Sequence, residues 1–133
     1  MKVFLGGTCN NSTWRDDIIP LLKIDYFNPI VENWDILDIE IEEKEKEKCQ
    51  IHLYVITKDI KGVYSIAEAV ESAFNQNKIT IFQIVSTDMN KEMLHSVNAV
   101  SYLILKKYGI SFHSDSFEAT ASIINNISKG NLL

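Results

Sequence analysis

Cysteine, histidine and arginine are all scarce in this chain. The two cysteines, Cys9 and Cys49, form neither a disulfide framework nor a CxxC metal or redox motif. The three histidines show no spacing typical of metal ligands. We therefore expect free thiols, as in a reducing cytoplasm, and neither a metal ion nor a cofactor. Arg15 is the only arginine, and so the only side chain with a planar fork for a carboxylate or phosphate.

The chain also lacks an excess of positive charge and any long apolar run. Thirteen Lys and Arg residues against 18 Asp and Glu residues give a net charge of −5, which argues against binding to a nucleic-acid polymer or an anionic membrane surface. No apolar run approaches the roughly 18 residues of a membrane span, and the first residues do not resemble a signal peptide. These absences predict a cytoplasmic protein.

What is present suits one globular α/β domain over residues 1–133, with 46% hydrophobic residues. The apolar runs predict strands at 3–5, 24–27, 51–56, 79–85 and 110–112. Helical patterns predict a short, kinked or late-starting first helix, capped by Ser12 or Thr13, containing Pro20 and ending near Lys23. They predict further helices at 36–48, 63–74, 91–107 and 115–128. This alternation of strands and helices predicts a three-layer domain with a parallel sheet of about five strands.

A run of Glu and Lys residues occupies the end of the second predicted helix. Residues 42–48 are interpreted as a solvated face, stabilised by pairs such as Glu42 with Lys46 at i,i+4.

The loop after the first strand is a candidate ligand site, because ligands bind at the carboxyl ends of the strands in an open parallel sheet. Gly6 and Gly7 end the predicted strand with a tight turn, and small polar residues follow. Such a loop could bring backbone N–H groups to an anionic or sugar group, assisted by Arg15. It is neither GxGxxG nor a Walker A sequence, and a turn without a ligand is the alternative.

The loop after the third strand carries two carboxylates that could share one crevice. Asp59 follows the strand directly, and Glu68 lies in the first turns of the next helix. Two carboxylates are the groups needed to cleave a bond to an anomeric carbon. The alternative is structural, because Ser65-x-x-Glu68 is also a capping-box sequence.

Several motifs, taken in order, resemble the nucleoside 2-deoxyribosyltransferase-like family over roughly residues 2–107. They are Phe4-Leu5-Gly6-Gly7-Thr8, Ser12-Thr13-Trp14-Arg15, Tyr26-Phe27-Asn28-Pro29 with Glu32-Asn33-Trp34, His52-Leu53-Tyr54-Val55-Ile56-Thr57 and Gly62-Val63-Tyr64-Ser65-Ile66-Ala67-Glu68. The resemblance implies a flavodoxin-like topology and a homo-oligomer. It also implies N-glycosyl transfer on deoxynucleosides or nucleotides, exchanging nucleobases through a glycosyl ester on a glutamate.

The resemblance also suggests roles for individual residues. Glu68 matches the family's nucleophile, and Asp59 resembles the acidic residue that binds or protonates the leaving base. The expected substrate contacts are Gly6, Gly7, Thr8, Arg15, Asn28, Trp34, Gly62 and Tyr64.

One departure from the family's pattern leaves the reaction open. Cys49-Gln50 stands where the classical enzymes carry a further aspartate before the central strand, and Gln50 could hydrogen-bond a base but not protonate it. An N-glycoside hydrolase using the same residues, and an inactive nucleotide-binding module, remain as alternatives.

Overall fold

The computed structural model describes residues 1–9, 11–30 and 36–130. Its strands are β1 (Lys2–Gly7), β2 (Asp25–Phe27), β3 (Ile51–Ile56), β4 (Ile79–Ile84) and β5 (Ile110–His113). They form one all-parallel sheet in the order β2-β1-β3-β4-β5. The predicted α/β class with a flavodoxin-like parallel sheet is confirmed.

The helices lie on both faces of this sheet. They are α1 (Trp14–Ile18), α2 (Ile36–Glu47), α3 (Tyr64–Ala73), α4 (Lys91–Lys106) and α5 (Glu118–Ser128). One buried cluster joins a face of the sheet to α1 and α5, and a second joins the other face to α3 and α4. None of the helices in the described ranges is long and apolar enough to cross a membrane.

The alternation of side chains along the central strands explains the two clusters. In β3, Leu53 and Val55 belong to the cluster with α1 and α5, whereas Tyr54 and Ile56 belong to the cluster with α3 and α4. All six residues of β3 are buried, as expected for a parallel strand covered on both faces. Burying a side chain such as Ile56 contributes about 1.5–3 kcal/mol.

The first helix is shorter than predicted. It ends at Ile18, and the chain continues as a 3₁₀ turn, Ile19–Leu21, that contains Pro20. Proline lacks an N–H and its ring clashes with the carbonyl four residues earlier, so regular α-helix cannot continue to Lys23. Thr13 is the N-cap residue, but within the described residues its side chain makes no capping hydrogen bond.

The prediction of a solvated face over residues 42–48 is wrong at two positions. Glu42 and Lys46 are buried, with 9% and 6% exposure. Lys46 pairs with Glu43 and Glu68 instead of Glu42. The inward face of the helix is the stripe of residues 39, 42, 46 and 49, whereas the apolar Ile36 and Leu37 are exposed.

Two adjustments at the strand ends bear on the site. Gly6 and Gly7 belong to β1 rather than to a turn after it. The strand order reverses direction between β1 and β3, because β2 lies beside β1 on one side and the later strands follow β3 on the other. The carboxyl ends of β1 and β3 thus form the switch point where open α/β sheets bind ligands.

Candidate active site

A cavity of about 410 Å³ opens at the switch point between β1 and β3. This volume lies within the roughly 300–1,000 Å³ typical of small-molecule sites. Its lining comes from the end of β1, the segment after β2, α1, α2, the loop after β3 and the start of α3. The lining residues are Gly6, Gly7, Thr8, Cys9, Arg15, Pro29, Ile30, Glu42, Ile60, Lys61, Gly62, Tyr64, Ser65 and Glu68.

The two glycines at the end of β1 are required by the close approach of β3. Gly7 has φ +113°, and a Cβ there would lie 2.2 Å from the carbonyl oxygen of Val55. A Cβ on Gly6 would lie 2.7 Å from the ring of Tyr54. Side chains at these positions would force β1 away from β3 and displace the cavity wall.

Thr8 fixes the position of the chain as it leaves β1. Its N–H donates to the Val55 carbonyl at 2.8 Å, and its Oγ1 accepts from the N–H of Thr57 at 2.9 Å. Its carbonyl accepts from Trp14 Nε1 and from Arg15. These bonds hold the loops after β1 and β3 together beside the cavity.

Arg15 lines the cavity but is already engaged by the backbone. Its Nε donates to the Leu5 carbonyl at 3.1 Å and its Nη1 to the Thr8 carbonyl at 2.8 Å. The side chain is 4% exposed, and burial lowers the pKa of the guanidinium from its usual value. The predicted substrate contact of Arg15 is therefore limited to what its remaining N–H groups can reach.

Glu68 projects into the cavity from the second turn of α3. The N-cap residue of this helix is Val63, so Ser65 lies inside the first turn. The carboxylate of Glu68 bonds to Lys46 and not to the helix N-terminus. The capping-box interpretation is therefore wrong.

Glu68 forms a buried ion pair with Lys46. Lys46 Nζ lies 2.9 Å from Glu68 Oε2, and the two side chains are 8% and 7% exposed. The same ammonium lies 2.6 Å from Glu43 Oε1. Burial raises the pKa of Glu68 to about 7, and the hydrogen bond from Lys46 opposes this rise. Glu68 is thus balanced between its protonated and ionised forms near neutral pH.

A second carboxylate in the cavity comes from α2 and not from the loop after β3. Glu42 lines the cavity beside Glu68. Asp59 is not among the described lining residues, and its carboxylate lies 3.8 Å from Lys58 Nζ. Sequence reasoning missed Glu42, although Ile39 and Cys49 at i−3 and i+7 were a signal that this stripe of α2 faces inward.

The remaining predicted contacts fall into three groups. Gly62 and Tyr64 line the cavity, together with Gly6, Gly7 and Thr8. Asn28 is exposed and its Oδ1 accepts from the N–H of Ile30, so the described lining continues through Pro29 and Ile30 instead. Trp34 lies outside the described residues.

Gln50 lies at the amino ends of the strands, whereas the cavity lies at their carboxyl ends. It precedes β3, its Oε1 accepts from the Lys2 N–H at 2.9 Å, and its Nε2 donates to the Lys48 carbonyl. These contacts hold it at the amino end of the strands. The suggestion that Gln50 contacts a base is therefore wrong.

Apolar side chains provide a wall opposite the carboxylates. Ile30, Ile60 and the ring of Tyr64 line the cavity. The Tyr64 hydroxyl donates to Glu43 Oε1 at 3.3 Å. A flat aromatic ligand could pack on this wall while its polar part reaches the carboxylates. Within the described ranges, no three Asp, Glu, His or Cys residues are grouped to hold a metal ion.

The sequence profile of a known family matches most of this architecture. The family is described as nucleoside 2-deoxyribosyltransferase like, and the match covers residues 1–84. The chain belongs to this family. The matched range runs through β4 and includes all the described residues that line the cavity. No curated protein and no solved structure matches the chain.

Proposed function

We propose that this nucleoside 2-deoxyribosyltransferase-like protein transfers a glycosyl group on small nucleosides or nucleotides, with Glu68 as the nucleophile. The observation that carries the proposal is the meeting of Glu68 and Glu42 in one cavity at the switch point of the sheet. Cleavage of a bond to an anomeric carbon needs two carboxyl groups in one site, one to attack and one to manage the proton.

The first step would form a glycosyl ester. Glu68 Oε1 attacks C1′ of the sugar, and the C1′–N bond breaks with its electron pair moving to the base. The carboxyl group of Glu42 donates the proton that the leaving base takes up. We assign this role to Glu42 in place of Asp59, because Glu42, unlike Asp59, is among the described residues that line the cavity with Glu68.

The second step would decide between base exchange and hydrolysis. If a second base enters, its nitrogen attacks C1′, gives a proton to Glu42 and releases Glu68. If water enters instead, the products are the free sugar and free enzyme. The apolar wall of Ile30, Ile60 and Tyr64 supports base exchange. A flat nucleobase can pack against such a wall, whereas a water molecule gains nothing from it.

The test is incubation with each deoxynucleoside and its 5′-monophosphate, with and without a different free base, followed by chromatography with mass detection. Glu68→Gln is expected to abolish turnover by several orders of magnitude, because the covalent step loses its nucleophile. Glu71→Gln is the matched control, since this exposed glutamate lies on the same helix outside the described lining. The rate should rise with pH through about 7, as Glu68 loses its proton.

Each outcome of this test has a distinct meaning. A swapped nucleoside supports a transferase, and free base alone supports a hydrolase. Intact-protein mass spectrometry should detect a glycosyl adduct in the wild type and not in Glu68→Gln. If no product or adduct forms, and Glu68→Gln binds nucleosides as tightly as the wild type does, the proposal is wrong and the protein is a binding module.

A further inference from the structure

Lys46 makes a contact with Glu68 that base exchange as described above leaves unexplained. Its ammonium is buried at the wall of the cavity and bonds to one oxygen of the carboxylate, Oε2, at 2.9 Å. The other oxygen, Oε1, has no hydrogen-bond partner among the residues that the structure describes. The contact therefore fixes the carboxylate through one oxygen and leaves the second oxygen for attack.

Lys46 is itself held in place at both ends. Its carbonyl accepts from His52 Nε2 at 3.0 Å and from the N–H of Cys49 at 3.0 Å. Its ammonium lies 5.9 Å from the centre of the Phe4 ring and bonds to Glu43 as well as Glu68. A lysine anchored in this way can orient its partner with little loss of side-chain freedom during the reaction.

Apart from Lys46, the charged groups that act directly on Glu68 are acidic. The cations Arg15 and Lys61 also line the cavity, and Arg15 bonds to the Leu5 and Thr8 carbonyls. Glu42 and Glu43 face Glu68 from α2, Tyr54 from β3 and Tyr64 from its own helix. Like charges and burial both favour the protonated form of a carboxyl group. Lys46 is the cation that the described residues bring within hydrogen-bond distance of Glu68, so the ionised form depends on it.

We propose that Lys46 is the positioning residue for the nucleophile, holding Glu68 ionised through Oε2 so that Oε1 is free to attack. This inference rests on the proposed function, in which Glu68 attacks C1′. The competing explanation is a buried ion pair that only stabilises the packing of α2 on α3. The two differ in what happens to the pH dependence of the reaction when the charge is removed.

The test compares pH–rate profiles of the wild type, Lys46→Met, Lys46→Arg and Lys48→Met. Lys46→Met keeps an unbranched side chain that is one heavy atom shorter, and it removes the charge. We expect the midpoint of its profile to move up by about one pH unit or more, so that the rate below the midpoint falls roughly tenfold or more. Lys46→Arg should keep the midpoint within about half a unit, because the charge is retained.

Lys48→Met is the matched control, because Lys48 lies two residues away on the exposed side and pairs with Glu45. Its profile should coincide with that of the wild type. A Lys46→Met profile with the wild-type midpoint and a uniformly lower rate would overturn the inference, since loss of packing alone predicts that result.

A measurement without turnover separates this inference from the proposed function. In protein carrying ¹³C-labelled glutamate, the Glu68 carboxyl signal is assigned by its absence in Glu68→Gln and titrated by NMR. We expect its midpoint to rise by about one pH unit or more in Lys46→Met. If it rises but no glycosyl transfer is found, the proposed function fails. If transfer occurs but the midpoint is unmoved, the role of Lys46 fails.

Should Lys46→Met not fold, the wild type still provides a test. The Lys46 Nζ signal in ¹⁵N-labelled protein should shift through the same midpoint as the Glu68 carboxyl signal, because the two groups share a hydrogen bond. A Lys46 signal that is insensitive to the ionisation of Glu68 would overturn the inference.

Discussion

Glu42 and Asp59 are the two residues that compete for the role of proton donor, and substitution can separate them. Glu42 lines the cavity, whereas Asp59 is placed beside Lys58. We expect Glu42→Gln to lower the transfer rate by about 10²–10⁴, the range typical of lost general acid–base catalysis. Asp59→Asn should change the rate little. The converse result in the nucleobase-exchange assay would return the role to Asp59, as the family resemblance implies.

Tyr54 raises a separate question, because its buried hydroxyl has no hydrogen-bond partner among the described residues. Its ring packs against Gly6 and belongs to the core cluster that joins the sheet to α3 and α4. An unsatisfied buried hydroxyl carries a desolvation cost, so Tyr54→Phe should leave the free energy of unfolding unchanged or raise it by about 1 kcal/mol. Urea unfolding at neutral pH measures this.

The control for Tyr54→Phe is Tyr102→Phe, on the exposed face of α4. Its free energy of unfolding should match that of the wild type. A loss of stability of about 1 kcal/mol or more in Tyr54→Phe would mean that the hydroxyl has a partner in solution.

Four secondary-structure elements are joined by one buried chain of hydrogen bonds. His52 on β3 donates from Nε2 to the Lys46 carbonyl at the end of α2, so its Nδ1 accepts from Ser72 on α3 at 2.9 Å. Ser72 in turn accepts from Thr80 on β4 at 2.6 Å. Burial favours the neutral imidazole, and the chain of hydrogen bonds sets the position of the backbone that carries Lys46.

This chain of hydrogen bonds predicts a loss of stability in acid. Burial lowers the pKa of His52 from 6.5 to about 4. The unfolded state therefore binds a proton that the folded state does not, and the contribution of His52 to the free energy of unfolding is lost as pH drops from 6.5 towards 4. A shift of this size corresponds to about 3 kcal/mol. Urea unfolding of the wild type and His52→Gln between pH 4 and 7 tests this.

The contribution from His52 is the difference between the two pH series. His52→Gln should lack this part of the pH dependence, whereas His95→Gln, on an exposed position of α4, should retain it. Parallel curves for the wild type and His52→Gln would show that folding does not lower the pKa of His52.

The elements themselves were largely predictable from the sequence, and the exception has a physical reason. The runs at 51–56 and 79–85 predict β3 and β4 well because strands covered on both faces are apolar throughout. In α2, the charged Glu42 and Lys46 are buried, whereas the apolar Ile36, Leu37 and Ile41 are exposed. The distribution of charged residues therefore predicted the wrong exposed face of α2, because Lys46 is buried by its ion pair with Glu68 on α3.

For the molecule as a whole, the topology located the site better than any single motif. Alternating strands and helices predict a parallel sheet, and the carboxyl ends of its strands predict the edge where the cavity lies. The same reasoning placed Glu68 at this end of the sheet and paired it with Asp59 without considering Glu42, since closeness along the chain was its guide. Glu42 and Glu68 line one cavity only because α2 and α3 both flank it, an arrangement with no local signature.

The stability of the whole molecule should also reflect Glu68, with a sign opposite to that of His52. Burial raises the pKa of Glu68 from 4.5 to about 7. The folded state therefore holds a proton that the unfolded state has released, and stability is lost as pH rises from 4.5 through about 7. The loss is again about 3 kcal/mol. Over this range the gain from His52 and the loss from Glu68 largely offset each other.

Removing either residue should therefore expose the contribution of the other. In urea unfolding between pH 4.5 and 7, Glu68→Gln should gain stability relative to the wild type as pH rises, whereas His52→Gln should lose it. Glu71→Gln, on the same helix as Glu68 but exposed, should parallel the wild type. If Glu68→Gln also parallels it, folding does not raise the pKa of Glu68, and the rise in rate through about pH 7 must come from another group.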